Sequence, residues 1–141
     1  MKNIKLVPAT ENDYERMYII KEDSIKRYVE KIWGWDESVQ KDFLKENTPF
    51  EEVEFVLFNG ETAGFLQLHE TSGGIFIQSL FIIEKFQQKG IGSYLLKEII
   101  SGRKSVSLEV LKNNEIAFEL YKKMGFAVKK EDDLKYYLTR E

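Results

Sequence analysis

Cysteine is absent from the 141-residue chain. That excludes disulfides, thiolate metal sites and a cysteine nucleophile, and makes the fold independent of redox compartment. There is no surplus of basic charge, since 21 Lys and Arg stand against 24 Asp and Glu for a formal charge of -3. The balance argues against a general nucleic-acid binder, whose electrostatic footprint is basic. No apolar run approaches membrane-spanning length, and the start, MKNIKLVPATENDY, lacks the apolar core of a secretory signal. These absences lead us to expect a cytoplasmic protein without membrane or nucleic-acid partners, either monomer or homodimer. What remains is 43% hydrophobic and 13% aromatic, enough for one sizeable core in a single domain over residues 1–141.

The most informative stretch runs from Gln78 to Leu96. An apolar run, Leu80 to Ile83, reads as a buried strand; Glu84 to Lys89 is polar; Gly90-Ile91-Gly92 then opens a segment whose Ile91, Leu95, Ile99 and Ile100 recur at helical spacing. A helix N-terminus leaves backbone N–H groups unpaired at the positive end of the dipole, and glycine lets an anion approach the main chain. The segment therefore reads as a phosphate cradle, or else as a tight turn that only feeds a helix.

Before it, Ile4, Leu6 and Pro8 suggest a short strand. Thr10-Glu11-Asn12-Asp13 has the form of a helix N-cap, with helix through Tyr14, Met17 and Tyr18 to Lys21. A second amphipathic piece, Ser24 to Trp33, ends at Gly34, and Asp36 caps a third that ends near Glu46. From Val53 the period becomes that of strands: a hairpin turns at Asn59-Gly60, and Thr71 to Gly74 returns the chain into a central strand, Ile75 to Ile83. After a helix over Gly92–Ile100, a strand at Val106–Val110 completes a right-handed parallel crossover. Asn113 or Asn114 then caps a helix carrying Ile116, Ala117, Leu120, Tyr121 and Met124, closed by Gly125, and strands follow around Phe126–Lys130 and Leu134–Thr139.

Gln87-Gln88-Lys89-Gly90-Ile91-Gly92 resembles the [RQ]-x-x-G-x-[GA] pyrophosphate loop of the GNAT superfamily of acyl-CoA-dependent N-acetyltransferases. Val110, Asn114, Ala117, Leu120, Tyr121, Gly125 and Phe126 have the spacing of its second signature, and the likeness covers most of the chain. The resemblance implies an α/β fold of mixed α+β type: a mostly antiparallel twisted sheet of about six to seven strands with a parallel, splayed central pair, flanked by about four to five helices. It implies acetyl-CoA as acyl donor and an amine as acceptor, with no metal. Backbone groups of Phe81, Ile82 and Ile83 would meet the pantetheine arm, N–H groups from Gln88 through Lys89, Gly90, Ile91 and Gly92 to Ser93 the pyrophosphate, and Gln87, Asn114 and Tyr121 would also belong to the cofactor site. Glu84 departs from the pattern, standing where many members have proline.

Acyl transfer to an amine needs a neutral amine, a polarised carbonyl and a proton for the departing thiolate. A tyrosine hydroxyl of ordinary pKa about 10 can donate to a thiolate whose conjugate acid lies near ~8.5, so Tyr121 suits a general acid, against the plainer reading of a helix tyrosine packed on the core. His69, the one histidine, is either the general base or a solvated strand-end residue. Glu70, a helix carboxylate or a water chain are the other possible bases. Tyr28, Trp33, Trp35 and Asp36 either wall the acceptor site or anchor a helix end on the core, with Gly34 and Asp36 as caps. A Rossmann reading fails because Leu95 stands where the third glycine belongs and a hairpin precedes the loop. A non-catalytic acyl-CoA sensor or interaction module of the same fold is the alternative from another functional class.

Overall fold

The computed structural model describes residues 3–103 and 105–141. The elements follow the order β1 Ile4–Pro8, α1 Tyr14–Trp33, α2 Glu37–Asn47, β2 Val53–Phe58, β3 Glu61–Thr71, β4 Gly74–Ile82, α3 Ile91–Ile100, β5 Val106–Leu111, α4 Glu115–Lys123, β6 Ala127–Glu131 and β7 Lys135–Arg140. Short 3-10 turns occupy Phe50–Glu52 and Glu84–Phe86. The seven strands lie in the order β1-β2-β3-β4-β5-β7-β6, with β4 and β5 parallel. This is the mixed sheet with a parallel central pair that the sequence suggests.

The chain sorts into two compact units, one holding the residues up to Gln67 with Ser79–Ile91, the other Leu68–Gln78 with Gly92–Glu141. In the first, Met17, Tyr18, Ile20, Leu44, Val53, Phe55 and Phe65 form the core, with Tyr14, Trp35, Phe50, Phe81 and Ile83 packed against it. The Phe65 and Phe81 rings meet edge to face at 5.2 Å. The β2–β3 hairpin turns on Asn59 at φ 53° and Gly60 at φ 81°, the pair of left-handed conformations that Asn-Gly tolerates. In the second unit, β5 pairs on one side with β4 and on the other with β7, burying Val106, Leu108, Val110 and Leu138.

Three expectations need correction. Residues 14–33 are one helix rather than two: Met17, Ile20, Lys21 and Ser24 form one buried stripe, so the polar Glu22-Asp23-Ser24 does not break it. Lys21 stays on the stripe by laying its stem over the core with Nζ 4.9 Å from the Phe43 ring, and Ser24 Oγ donates to the Lys21 carbonyl. The helix also starts at Tyr14, with Asp13 in the cap position making no cap bond; instead its carboxylate accepts from Thr10 N–H at 2.7 Å and closes the preceding turn. Finally, Leu80, Phe81, Ile82 and Ile83 are half-buried, not a fully buried strand.

Gly64 sits where β2 shifts register between Val56 and Leu57. A Cβ there would overlap the Phe81 carbonyl oxygen and come within 2.9 Å of its carbon. Backbone cannot yield as a flexible side chain does, so Gly64→Ala is expected to destabilise the fold by about 3 kcal/mol or more. A urea titration reads this as a lowered midpoint, whereas an unchanged midpoint would mean that the strands separate freely at this point.

Candidate functional site

The loop that enters α3 is built from local conformation. Residues Glu84–Phe86 make one 3-10 turn, Phe86 is buried with its ring edge-on to Phe58 at 5.9 Å, and the chain then takes left-handed conformations at Gln88, φ 61°, and Gly90, φ 84°. Because α3 starts at Ile91, the N–H groups of Gly90, Ile91, Gly92 and Ser93 have no intrahelical acceptor. Four donors at the positive end of a helix suit an anion. Gly92 has a second reason to be small, since a Cβ on it would stand 3.2 Å from Leu120 Cδ2 of α4.

The loop is held from α1. Asp23 Oδ1 accepts the Glu84 backbone N–H at 2.6 Å, Arg27 Nη1 lies 3.2 Å from Glu84 Oε2, and Arg27 Nη2 donates to Gln87 Oε1 at 3.4 Å. The Gln87 amide in turn donates to the Ile82 carbonyl at 2.8 Å. Glu84, the departure from the family pattern, is thus the first residue of a 3-10 turn, a position that also accepts proline.

The parallel pairing of β4 with β5 runs only from Ile75↔Val106 to Ile77↔Leu108. Beyond it lies a cavity of about 180 Å3 lined by Phe76, Ile77 and Gln78 of β4, Glu109, Val110 and Leu111 of β5, and Lys135 of β7. Its one carboxylate is Glu109, whose Oε1 is 3.3 Å from Lys135 Nζ. Both side chains keep more than a third of their surface exposed, so the pair is open to solvent and exchangeable. Glu109 is not among the bases that the sequence suggests. The available signal was its place in a strand just before Val110, the first residue of the second signature, but only the end of the strand pairing shows it opening on a cavity.

On α4, Asn114 rather than Asn113 is the cap: its Oδ1 accepts from Ala117 N–H at 3.3 Å. That use of the oxygen leaves the amide N–H groups for a ligand. Tyr121 is half-buried, its ring edge-on to Phe126 at 5.9 Å, and its hydroxyl bonds to no described residue. Burial pushes its pKa up to about 12, so the phenol holds its proton at every working pH.

His69 is half-buried in β3 and is not among the residues lining the β4–β5 cavity. The aromatic cluster after α1 divides. Trp35 packs on the core and donates from Nε1 to Tyr18 Oη at 2.9 Å, while Asp36 caps α2 by accepting from Val39 N–H at 3.0 Å. Trp33 is 57% exposed, and Tyr28 lies beneath the Arg27 guanidinium at 4.8 Å. Among the described residues no group of three or more His, Asp or Glu is placed to hold a metal, and no helix is long and apolar enough to cross a membrane.

The sequence profile of the acetyltransferase (GNAT) family matches residues 10–126. The fold is similar to that of PaiA N-acetyltransferase from Thermoplasma acidophilum in complex with coenzyme A, at 19% identity, 98% coverage of each chain and a TM-score of 0.77. It is also similar to the ribosomal-protein-S18-alanine N-acetyltransferase of Escherichia coli, at 18% identity, 97% and 92% coverage and a TM-score of 0.71. A third likeness is to Naa50 of Arabidopsis thaliana in complex with the bisubstrate analogue CoA-Ac-MVNAL, at 19% identity, 99% coverage of each chain and a TM-score of 0.63.

Proposed function

The chain belongs to the GNAT acetyltransferase family, and from that premise we propose that it transfers the acetyl group of acetyl-CoA directly to a primary amine. The observation that carries this reading is the end of the β4–β5 pairing at Ile77 and Leu108, beyond which a cavity with one carboxylate opens. A thioester supplies the activated acyl group. The helix terminus at Gly90–Ser93 fits a pyrophosphate. At the end of β4 the Ile83 N–H donates to the Ala63 carbonyl at 2.8 Å and the Ile82 carbonyl accepts from Gln87, so those two groups are already paired within the chain and are not open to a pantetheine arm.

At neutral pH a primary amine is mostly protonated, with a pKa of about 7.7–8.0 for a peptide α-amine and about 10.4 for lysine. Glu109, the carboxylate of the cavity, takes that proton in this reading. His69 is the competing base. Peptide α-amines are the first acceptors to screen, because they need the least help in losing a proton and because two of the similar structures are named for peptide or alanine acceptors. Trp35 and Asp36 keep the α1–α2 turn in place, which leaves Trp33 and Tyr28 as the aromatic candidates of that segment for contact with an acceptor.

As charge leaves the carbonyl for sulfur, the Tyr121 hydroxyl donates to it. With the phenol near 12 and a thiol near ~8.5, complete proton transfer runs uphill, so Tyr121 acts chiefly as a hydrogen-bond donor to the developing thiolate.

The test is thiol release from acetyl-CoA over an amine panel, followed by pH profiles of Glu109→Gln and His69→Ala on the best acceptor. Glu109→Gln should lose about 10²-fold in rate at pH 7 and recover much of it at high pH, where the amine is already neutral. If His69→Ala shows that pattern and Glu109→Gln does not, the base is His69.

A further inference from the structure

Four side chains tie the start of the phosphate loop to α1, and none of them belongs to the loop's glycine turn. Asp23 and Arg27 are one helical turn apart on α1, so they present a carboxylate and a guanidinium on the same face. The carboxylate takes the Glu84 N–H. The guanidinium forks, one nitrogen to Glu84 Oε2 and the other to Gln87 Oε1, while the far side of the Gln87 amide is fixed on the Ile82 carbonyl. Gln87 is therefore held at both ends, one residue before the left-handed Gln88 that turns the backbone toward Gly90.

Proline at position 84 would fix the turn by locking φ, but it has no N–H to give. Here a rotatable residue stands in its place, and the restraint comes from α1 through two side chains.

We infer that Arg27, with Asp23, is a positioning residue for the pyrophosphate loop: it acts through Gln87 and Glu84 to pre-form the donor array and so favours donors that carry a pyrophosphate. The inference rests on the reading that residues 87–92 hold that group. A pre-formed loop does not have to be ordered when the anion arrives, and the affinity gained is the ordering cost avoided. Each contact is partly exposed and individually modest, so the expected effect is small and specific.

Coenzyme A and pantetheine, which lacks the pyrophosphate, are titrated calorimetrically into the intact protein and into Arg27→Ala, Arg27→Lys and Gly92→Glu. Arg27→Ala should shrink the preference for coenzyme A over pantetheine about three- to tenfold, the size of one exposed ion pair plus one hydrogen bond. Arg27→Lys should recover part of it, because an ammonium can meet Glu84 but cannot fork to Gln87. A preference that is lost in Gly92→Glu but unchanged in Arg27→Ala overturns the inference and leaves the loop assignment standing. Full recovery in Arg27→Lys overturns the fork. A preference unchanged in Gly92→Glu as well overturns the loop assignment itself.

Discussion

Tyr121→Phe should reduce turnover by about 10²–10⁴-fold while leaving acetyl-CoA affinity close to the parent value. The substitution removes one oxygen that bonds to no described residue, so no internal hydrogen bond is broken and the edge-to-face contact with Phe126 survives. What is lost is a donor needed only when negative charge develops on sulfur, an interaction of the transition state rather than the ground state. Pre-steady-state acyl transfer and calorimetric binding separate the two effects. Equal losses in both would turn Tyr121 into a binding residue, and an unchanged chemical step would remove it from the mechanism.

The elevated pKa of Tyr121 adds a pH signature. Since kcat/KM reports the free enzyme, loss of this proton should not depress it until pH approaches about 12. Stability carries the matching sign. The folded phenol binds its proton more tightly than the unfolded one, whose pKa is about 10. Its contribution is thus fully present below pH 10 and lost as pH rises toward 12. Tyr121→Phe should flatten that alkaline decline, measured by thermal melts across the interval.

Gly92→Glu should abolish measurable acetyl-CoA binding without unfolding the protein. The position is the second residue of α3, where a carboxylate favours the helix because it faces the positive end of the dipole. The new Cβ meets only the end of the Leu120 side chain, at 3.2 Å, and that group can rotate aside. The added charge, however, takes the place of the anion and repels it. Two like charges about 4 Å apart near a protein surface cost about 4 kcal/mol, so the affinity should fall by roughly 10³-fold. Unchanged affinity in a variant whose melting temperature matches the parent would place the pyrophosphate elsewhere.

Much of this site is legible in the sequence because its parts are local. The glycine spacing at 90 and 92, the Asn-Gly turn at 59 and 60, and the run from Asn114 to Gly125 each specify a turn, cap or helix face within a few residues, and each lies where expected. Non-local features were hidden. The clamp joins Asp23 and Arg27 to residues about sixty positions later, and no periodicity announces such a pair. Glu109 reads as a solvated strand residue until the end of the β4–β5 pairing puts it on a cavity. The opposite error occurred at Leu80–Ile83: four consecutive apolar residues suggest burial, but these are left half-covered. In α1, Lys21 and Ser24 conceal the helical stripe because hydropathy counts their polar ends and not their buried stems.

The central claim is direct acyl transfer from acetyl-CoA to an amine, with no acylated protein in between. The most direct test incubates the protein with acetyl-CoA labelled in the acetyl group and the best amine of the screen, and follows free thiol, acetylated amine and intact protein mass together. The account predicts thiol and labelled amide in equal amounts, at a rate that collapses in Tyr121→Phe, with no labelled protein at any time. Label that appears first on the protein and then passes to the amine, or thiol released without amide, would contradict it.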